Sequence, residues 1–345
     1  MEVEVTNTFH APLFPADELI WGWEIPMYLF LGGLVAGMMI LSGAYYLSGR
    51  RKGLPFTVMG GAILAPVVLS IGMFMLFLDL EYKVHVWRFY TAFMITSPMS
   101  WGSWILLIIY PVSVLFIVAL IMEELKDPGS VAQLLGRAGG VIAKRMPGFE
   151  RLKAAYEKIK EKLEKPGAWI SEHIRHLAWA SIGLGIALGA YTGILLSSYA
   201  ARPLWNSQAL APLFLVSGLS SAAALSVIAE RKTEARHEMA RIDRVFIAVE
   251  LFILSLLFVN LAYSIQSHQW ALEPFIGSEV YTPLFWILVV GLGLITPLVL
   301  ELLEVRKVIK FTVAVPILVL IGGLFLRFVF VYAGQAVCWC YFIFR

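Results

Sequence analysis

Eight long apolar stretches, separated by polar segments, dominate the chain. A membrane-spanning helix needs about 20 apolar residues, because a rise of about 1.5 Å per residue has to cross about 30 Å of hydrocarbon. The predicted spans are Trp21–Leu47, Pro55–Leu78, Ser97–Met122, Trp169–Ser198, Leu204–Ala229, Val245–Gln266, Thr282–Leu303 and Phe311–Tyr332. The pattern therefore predicts an all-α integral membrane protein with eight transmembrane helices.

Composition supports this interpretation and narrows the possible partners. Hydrophobic residues make up 59% of the chain and charged residues 15%, whereas ordinary soluble domains have about 45–50% and about 25%. The net charge of +3 is too small to indicate a polyanion, so we expect no nucleic acid partner. The two cysteines, Cys338 and Cys340, cannot hold a four-cysteine cluster, so iron–sulfur chemistry is expected in another subunit.

The positions of Lys and Arg predict the orientation in the membrane. Short loops rich in these residues stay on the cytoplasmic side. The loops after the first, third, fifth and seventh predicted spans hold 22 of the 27 basic residues. We therefore expect both termini on the periplasmic side of a bacterial inner membrane. The first twenty residues contain no Lys or Arg, so no cleavable signal peptide is expected.

One long cytoplasmic loop, residues 123–168, separates spans 1–3 (residues 21–122) from spans 4–8 (residues 169–335) within a single membrane domain, residues 1–345. Its second half predicts a Lys-rich amphipathic helix. The apolar stripe consists of Phe149, Leu152, Tyr156, Ile159 and Leu163. Such a helix most often lies on anionic membrane lipid, and docking of a cytoplasmic partner is the alternative.

Polar residues near the predicted spans gather toward the outer side. Trp21, Glu24 and Tyr28 have the spacing of one helical face. Other candidates toward this side are Asp79, His85, Arg88, Trp101, Arg202, Asn260 and Arg327. An interfacial belt explains the tryptophans. It does not explain Glu24, Asn260 and Arg327, because polar groups inside a bilayer cost free energy, about 2.5–3.5 kcal/mol for a charged group at its centre. These three residues are therefore expected to face a shared polar cavity or one another.

An aromatic outer cavity with a carboxylate suits a quinone, which needs a stacking surface, hydrogen bonds to two oxygens and groups that exchange protons. On the inner side, Glu250 is a candidate proton-carrying residue of a path from the cytoplasm toward the outer cavity. Pairing with Arg244, Arg306 or Lys307 is the other interpretation, and it is favoured for Glu301.

Haem and metal sites are not expected in this chain. Membrane cytochromes b hold haem through histidines buried between helices, and none of the six histidines lies centrally in a predicted span. His173 and His176 have the spacing of a ligand pair, but no third ligand is evident, which favours a solvated helix start.

Four motifs, in order along the chain, resemble the NrfD/polysulfide reductase membrane-subunit family. They are EIPMYLFLGGLVAG at 24–37, the segment 78–104 ending in SPMSWGSW, the segment 191–206 with YTGILLS and RPLWN, and LRFVFVYAGQ at 326–335. The resemblance covers nearly the whole chain.

The resemblance implies a subunit of two four-helix bundles that has no haem. Such a subunit passes electrons between menaquinone or ubiquinone and an iron–sulfur (ferredoxin-like) subunit on the outer face, which serves a catalytic subunit such as a molybdopterin oxidoreductase. The resemblance implies that Glu24 and Tyr28 line the quinone pocket. It also implies that Asp79 and the SPMSWGSW motif, which contains Trp101, border that pocket. It also assigns Arg202 and Arg327 to polar interior positions discussed for proton movement.

From these features together we expect Glu24 or His85 to exchange protons with the quinone, with Tyr28, Asp79 and Arg88 as hydrogen-bond partners. Trp21, Trp101 and Arg202 complete the expected binding set, and Glu250 and Arg327 the proton path. Two alternatives stay open at this point. A secondary transporter usually places substrate-binding charges near the midplane, whereas the polar residues here crowd one side. A passive anchor would carry no quinone.

Overall fold

The computed structural model describes residues 21–91, 93–126, 170, 172–199, 201–264, 266–306, 308 and 312–337. Within these residues, eight helices are long and apolar enough to cross a membrane. They are α1 (Glu24–Leu47), α2 (Phe56–Asp79), α3 (Pro98–Lys126), α4 (Ile174–Ser197), α5 (Leu210–Ala229), α6 (Thr233–Tyr263), α7 (Tyr281–Val305) and α8 (Ala314–Ala336). The prediction of an all-α protein with eight spans is confirmed.

Short helical segments and wider turns complete the described backbone. Parts of two spanning helices have π-helical hydrogen bonding, Phe56–Gly60 in α2 and Leu284–Ile295 in α7. The connections contain a 3-10 turn at Lys83–His85 and short α-helices at Arg88–Thr91, Gln266–Trp270 and Glu273–Ile276. We call the end of the molecule that carries Trp21 and Asp79 the outer end, and the opposite end the inner end.

One predicted boundary is wrong by several turns. Helix α6 begins at Thr233, whereas the apolar pattern placed the start of this span at Val245. The charged residues before Val245 lower the local hydropathy, but helical hydrogen bonding does not require apolar side chains. The helix therefore continues inward past the apolar stretch, and Asp243 lies buried within it.

Helix α1 occupies the centre of the structure. It is the most buried of the eight long helices described here, followed by α5 and α8. It packs against α2, α4, α5 and α8. Helix α3 packs against α4 and α2, α6 packs against α5, and α7 packs against α8. Side chains from several helices therefore meet along the two sides of α1.

Glycines allow this close packing. The backbone of α1 at Gly33 and Gly37 contacts Gly218 of α5, so that a methyl group added at Gly218 would collide with the Gly33 carbonyl group. On another face of α1, Gly185 and Gly189 of α4 lie against Ala36. The four glycines of α1 and α4 have the spacing that brings membrane helices close together, and the structure uses them in this way.

Two sequence features fall outside the described residues. These are the predicted amphipathic helix at 149–163 and the pair Cys338 and Cys340.

Gly218→Ala should lower the melting temperature of the detergent-solubilised protein, because the added methyl group has to push α5 away from α1. Overpacking of this kind costs about 1–3 kcal/mol. Gly183→Ala is the matched control, since that glycine of α4 has open space around it. A thermal unfolding experiment that gives both variants the same melting temperature would contradict this packing.

Candidate functional site

A cavity of about 500 Å³ lies among α1, α2, α3 and α4 at the outer end. Its size falls within the range of about 300–1,000 Å³ that is typical of small-molecule sites. Most of the lining is apolar or aromatic. The lining residues with polar groups in their side chains are Trp21, Tyr28, Asp79, Tyr90, Ser103 and Tyr191. The cavity therefore combines apolar walls with a few polar groups, as ligand sites generally do.

The rings of two tyrosines of the cavity pack against glycines of neighbouring helices. The ring of Tyr28 packs near Gly72 of α2, and the ring of Tyr191 lies directly against Gly102 of α3. Tyr28 is only 2% exposed, and its hydroxyl group has no hydrogen-bond partner among the described residues. A buried polar group without a partner costs about 1–3 kcal/mol. The hydroxyl is thus a donor that a bound ligand can satisfy.

Two carboxylates lie near the mouth of the cavity. Asp79, the last residue of α2, is part of the lining and partly exposed. Glu24, the first residue of α1, is close enough to Asp79 for their charges to repel each other. Its carboxylate turns back toward Gly22 and is outside the lining set. The pair places two carboxyl groups near the outer opening of the cavity.

His85 and Arg88 lie in a second, open depression of about 720 Å³ outside the cavity. Both side chains are exposed, and the guanidinium carbon of Arg88 is 5.8 Å from the ring centre of Trp87. The depression shares Leu80, Phe89 and Met99 with the cavity lining. The two spaces are therefore neighbours, with His85 on the solvent side.

Trp101 is not among the residues that line the cavity. It is 38% exposed, and its indole nitrogen donates a hydrogen bond of 2.7 Å to the carbonyl oxygen of Ile95. The contribution of its motif to the cavity comes instead from Met99, from Ser103 and from Gly102, which supports Tyr191.

Arg202 contacts two residues, Gln335 and Trp205, that in turn contact Trp21 in the cavity wall. Its guanidinium group donates a hydrogen bond to the carbonyl oxygen of Gln335 and lies 6.0 Å from the ring centre of Trp205. The side chain of Gln335 accepts a hydrogen bond from the backbone nitrogen of Trp21 at 2.8 Å and donates one to its carbonyl oxygen at 3.2 Å. Trp21 and Trp205 are stacked, with ring centres 5.0 Å apart. Arg202 thus helps to position Trp21 without lining the cavity.

Arg327 belongs to a separate polar cluster in the centre of the protein. It is 1% exposed and donates hydrogen bonds to the Ser217 hydroxyl group and to the carbonyl oxygen of Phe214, the latter at 2.8 Å. Glu250 of α6 is 2% exposed and lies near the same serine and near Arg327. The opposite charges of the buried guanidinium group and the buried carboxylate compensate part of the cost of burying each of them.

The polar cluster continues toward the inner end. Asp243 is fully buried and accepts a hydrogen bond of 2.6 Å from the Ser220 hydroxyl group. Glu301 of α7 is also buried, and its carboxylate lies 4.0 Å from the guanidinium group of Arg244. Arg244 additionally donates a hydrogen bond of 3.3 Å to the Glu301 carbonyl oxygen. The predicted pairing of Glu301 with Arg244 agrees with this geometry.

The structure corrects the expectation of one cavity shared by Glu24, Asn260 and Arg327. Arg327 makes its hydrogen bonds with α5 and with its own helix, while Asn260 is exposed on α6. The apolar pattern gave the approximate depth of each residue but not the side of the helix bundle that it faces. Two separate polar regions result, one at the outer end and one in the centre.

Several residues of these regions escaped the sequence reasoning. Tyr90, Ser103 and Gln335 lie within the quoted motifs, but no feature of the sequence singled them out individually. Asp243 was placed in a loop by the wrong boundary of α6. The glycine inside the SPMSWGSW motif was a usable signal, because a glycine between bulky residues often marks a close contact.

Metal binding has no support among the residues that the structure describes. They contain no group of three or more His, Cys, Asp or Glu side chains that could hold a metal ion. The rings of His173 and His176 are 5.8 Å apart at the start of α4.

Comparison with known proteins gives the family. The family model described as "Polysulphide reductase, NrfD" matches residues 12–338. The chain belongs to the NrfD/polysulphide reductase family. The resemblance seen in the four sequence motifs is therefore confirmed.

Named relatives of this NrfD-family protein match it over most of its length. A polysulfide reductase chain from Wolinella succinogenes is 28% identical, covering 92% of this chain and 95% of the relative. Protein NrfD of Escherichia coli is 30% identical, covering 96% of this chain and 98% of the relative. A putative dimethyl sulfoxide reductase membrane subunit from Halobacterium salinarum is 26% identical, covering 90% and 68%.

Proposed function

We propose that this chain is the quinone-reactive membrane subunit of a respiratory oxidoreductase complex. It holds a quinone, menaquinone or ubiquinone, at the outer end, where electrons pass to or from an iron–sulfur subunit. That subunit in turn serves a catalytic subunit such as a molybdopterin oxidoreductase. The outer cavity carries this proposal, and the names of the relatives, which refer to polysulfide and dimethyl sulfoxide reductases, support it.

The residues of the cavity fit a quinone ring. Phe77, Phe89 and Tyr90 offer flat apolar surface for the ring. The Tyr28 hydroxyl group, which lacks a partner among the described residues, can donate a hydrogen bond to a quinone oxygen. A bound quinol supplies two electrons and two protons, and the protein therefore needs groups that accept protons near the oxygens.

Proton exchange with the outer side is assigned to the groups at the cavity mouth. Asp79 lies in the lining and Glu24 lies close to it, so a proton accepted by Asp79 has a second carboxylate nearby. His85 is exposed in the adjoining depression and can exchange protons with water. Asp79 in the lining therefore has two neighbouring routes outward, through Glu24 or through the depression that holds His85.

The proposed orientation places the inner end in the cytoplasm of a bacterial cell. The inner turn after α1 carries Arg50, Arg51 and Lys52, in agreement with the positive-inside rule. Both termini then face the periplasm, and the outer cavity opens on that side of the inner membrane. Helix packing supports a division into two four-helix bundles, α1–α4 and α5–α8, that meet where α1 contacts α5 and α8 and where α4 contacts α5.

A proton path through the second bundle is part of the proposal. Three buried charged residues follow one another from the inner side toward the centre of the protein, namely Asp243, Glu250 and Arg327. The hydroxyl groups of Ser220 and Ser217 lie beside them. Arg327 also lies beside Gly33 of α1. Gly33 is five residues from Tyr28, or about 7.5 Å along a helix. The central cluster therefore approaches the wall of the outer cavity.

Asp79→Asn and Glu24→Gln should each reduce quinone-linked turnover of the assembled complex at least about tenfold, because general acid–base groups commonly contribute about 10²–10⁴ to a rate. Glu279→Gln, at an exposed outer position remote from the cavity, is the control. Turnover with a soluble quinol analogue gives the measurement. If both variants assemble and keep full activity, neither carboxylate is an essential proton-transfer group.

Gly102→Ala should raise the KM for quinol about tenfold or more, because the new methyl group would occupy the place of the Tyr191 ring and displace it within the cavity. The size of the effect corresponds to an overpacking cost of about 1–3 kcal/mol. Gly183→Ala, with open space around it, should leave the KM unchanged. An unchanged KM in Gly102→Ala would remove Tyr191 from the quinone site.

Glu250→Gln should separate proton movement from quinone chemistry. In liposomes, proton uptake from the inner side should fall about tenfold, while quinol oxidation in detergent stays within about twofold, because Glu250 lies outside the cavity lining. Glu234→Gln, at the exposed inner start of α6, controls for charge. Equal proton uptake by both variants would exclude Glu250 from the path.

A further inference from the structure

Charged residues that the proposed proton path does not use lie at the inner ends of α6 and α7. They are His237 and Arg244 of α6 and Glu301 and Glu304 of α7. The carboxylate of Glu301 is also close enough to that of Asp243 for their charges to repel each other. These residues therefore connect the innermost residue of the path with the inner end of the molecule.

Burial increases step by step from the inner surface toward Asp243. The side chain of His237 is 56% exposed and that of Glu304 11%. The side chain of Glu301 is 3% exposed, and Asp243 is fully buried. Glu301 and Glu304 are three residues apart on α7, so their side chains share one face of the helix. The four residues thus form a series that leads from solvent into the protein.

The exposed histidine is within reach of the next carboxylate. The Nδ1 atom of His237 lies 3.4 Å from the Oε1 atom of Glu304. This oxygen is buried and has no hydrogen-bond partner among the described residues. An exposed imidazole group exchanges protons with water. His237 can therefore pass a proton from the inner solution to Glu304.

The carboxylate of Glu301 is not locked by its arginine. Arg244 donates a hydrogen bond of 3.3 Å to the backbone carbonyl oxygen of Glu301, whereas the carboxylate oxygen Oε2 is 4.0 Å away. Oε2 of Glu301 and Oδ2 of Asp243 are both buried without a hydrogen-bond partner in the described part of the chain. Unpaired buried groups cost free energy, about 1–3 kcal/mol each, so stability alone does not account for them. Both oxygens are available to accept a proton.

The balance of buried charge also favours a bound proton. Three buried carboxyl groups lie in this region, those of Asp243, Glu250 and Glu301. The guanidinium groups that act on them, within the described residues, are those of Arg244 and Arg327. Ionisation of all three carboxyl groups would exceed this positive charge by one. Because an uncompensated charge in the interior is costly, a carboxyl group there gains from taking up a proton.

We propose that Glu301 is the inner entrance of the proton path and that His237 and Glu304 supply it with protons. This assignment rests on the proposed function, because it names the residues that load Asp243. His237 takes up a proton from water and passes it to the Glu304 carboxylate. Glu304 passes the proton to Glu301, and Glu301 passes it to Asp243. Each donor is left without its proton and takes up the next one from the inner side.

Proton uptake by the complete complex in liposomes, followed with a pH-sensitive dye on the side of the inner end, tests this entrance. Glu301→Gln keeps the size of the side chain but removes the carboxyl group, so the number of protons taken up per electron should fall about tenfold. Quinol oxidation in detergent should stay within about twofold, because Glu301 lies outside the cavity lining. Glu234→Gln, at the exposed inner start of α6, is the control and should behave like the wild type.

His237→Gln tests the surface pair. Proton uptake by this variant should fall in weak buffer and recover when imidazole is added, because a mobile base can replace an exposed group that collects protons. Imidazole should not restore Glu301→Gln, since that position is buried. A variant that is merely less stable would lose proton uptake and quinol oxidation together and would not respond to imidazole.

The result for Glu250→Gln separates the entrance from the proposed function. If Glu250→Gln lowers the number of protons per electron and Glu301→Gln does not, the path has another entrance and the assignment of Glu301 is overturned alone. If neither variant lowers it, the proton path fails as well. An equal loss of quinol oxidation and proton uptake in Glu301→Gln would also overturn the entrance, in favour of a structural role. Melting temperatures of all variants verify that they are folded.

Discussion

The close backbone contact between α1 and α5 is the constraint on which the other features depend. Because Gly33, Gly37 and Gly218 have no side chains, the two helices approach until their backbones touch. This contact places α1 between helices on both sides. One side of α1 then forms a wall of the outer cavity, and the other side borders the polar cluster of Arg327. A single helix thus connects two regions with different chemistry.

The two regions treat their polar groups differently. In the central cluster, buried charges are compensated by hydroxyl groups, carbonyl oxygens and opposite charges, as Arg327, Ser217 and Glu250 show. In the outer cavity, the Tyr28 hydroxyl group is buried without a partner among the described residues. The compensation in the central cluster is partial, because Arg327 Nε and one carboxylate oxygen each of Asp243 and Glu301 also lack a hydrogen-bond partner among the described residues. The outer cavity differs in that its unpartnered hydroxyl group belongs to a residue lining a space that a ligand can fill. This difference separates the region that transports protons, as we propose, from the region that holds the quinone.

Hydrophobic patterning was sufficient for the number of helices and for most of their ends, because a membrane imposes a minimum apolar length. It failed at the start of α6, where a helix extends beyond the apolar stretch as far as Thr233. Helical spacing and the motifs identified Trp21, Tyr28 and Asp79, which line the cavity. The depth of Arg327 and Asn260 along their spans suggested a place in the same cavity, which was wrong, because the side of a bundle that a residue faces depends on contacts between distant helices. The role of Gln335 was likewise not predictable from the sequence, because its hydrogen bond with the backbone of Trp21 depends on how α8 packs against the start of α1.

The hydrogen bonds between Gln335 and Trp21 join residues 314 positions apart in the chain. A ribosome therefore has to synthesise α8 before the residue that fixes Trp21 exists. During membrane insertion, α1 to α4 can assemble around most of the cavity, but the hydrogen bonds that hold Trp21 form only after α8 has been inserted. A chain truncated before α8 would therefore lack the hydrogen bonds that hold Trp21 in the cavity wall.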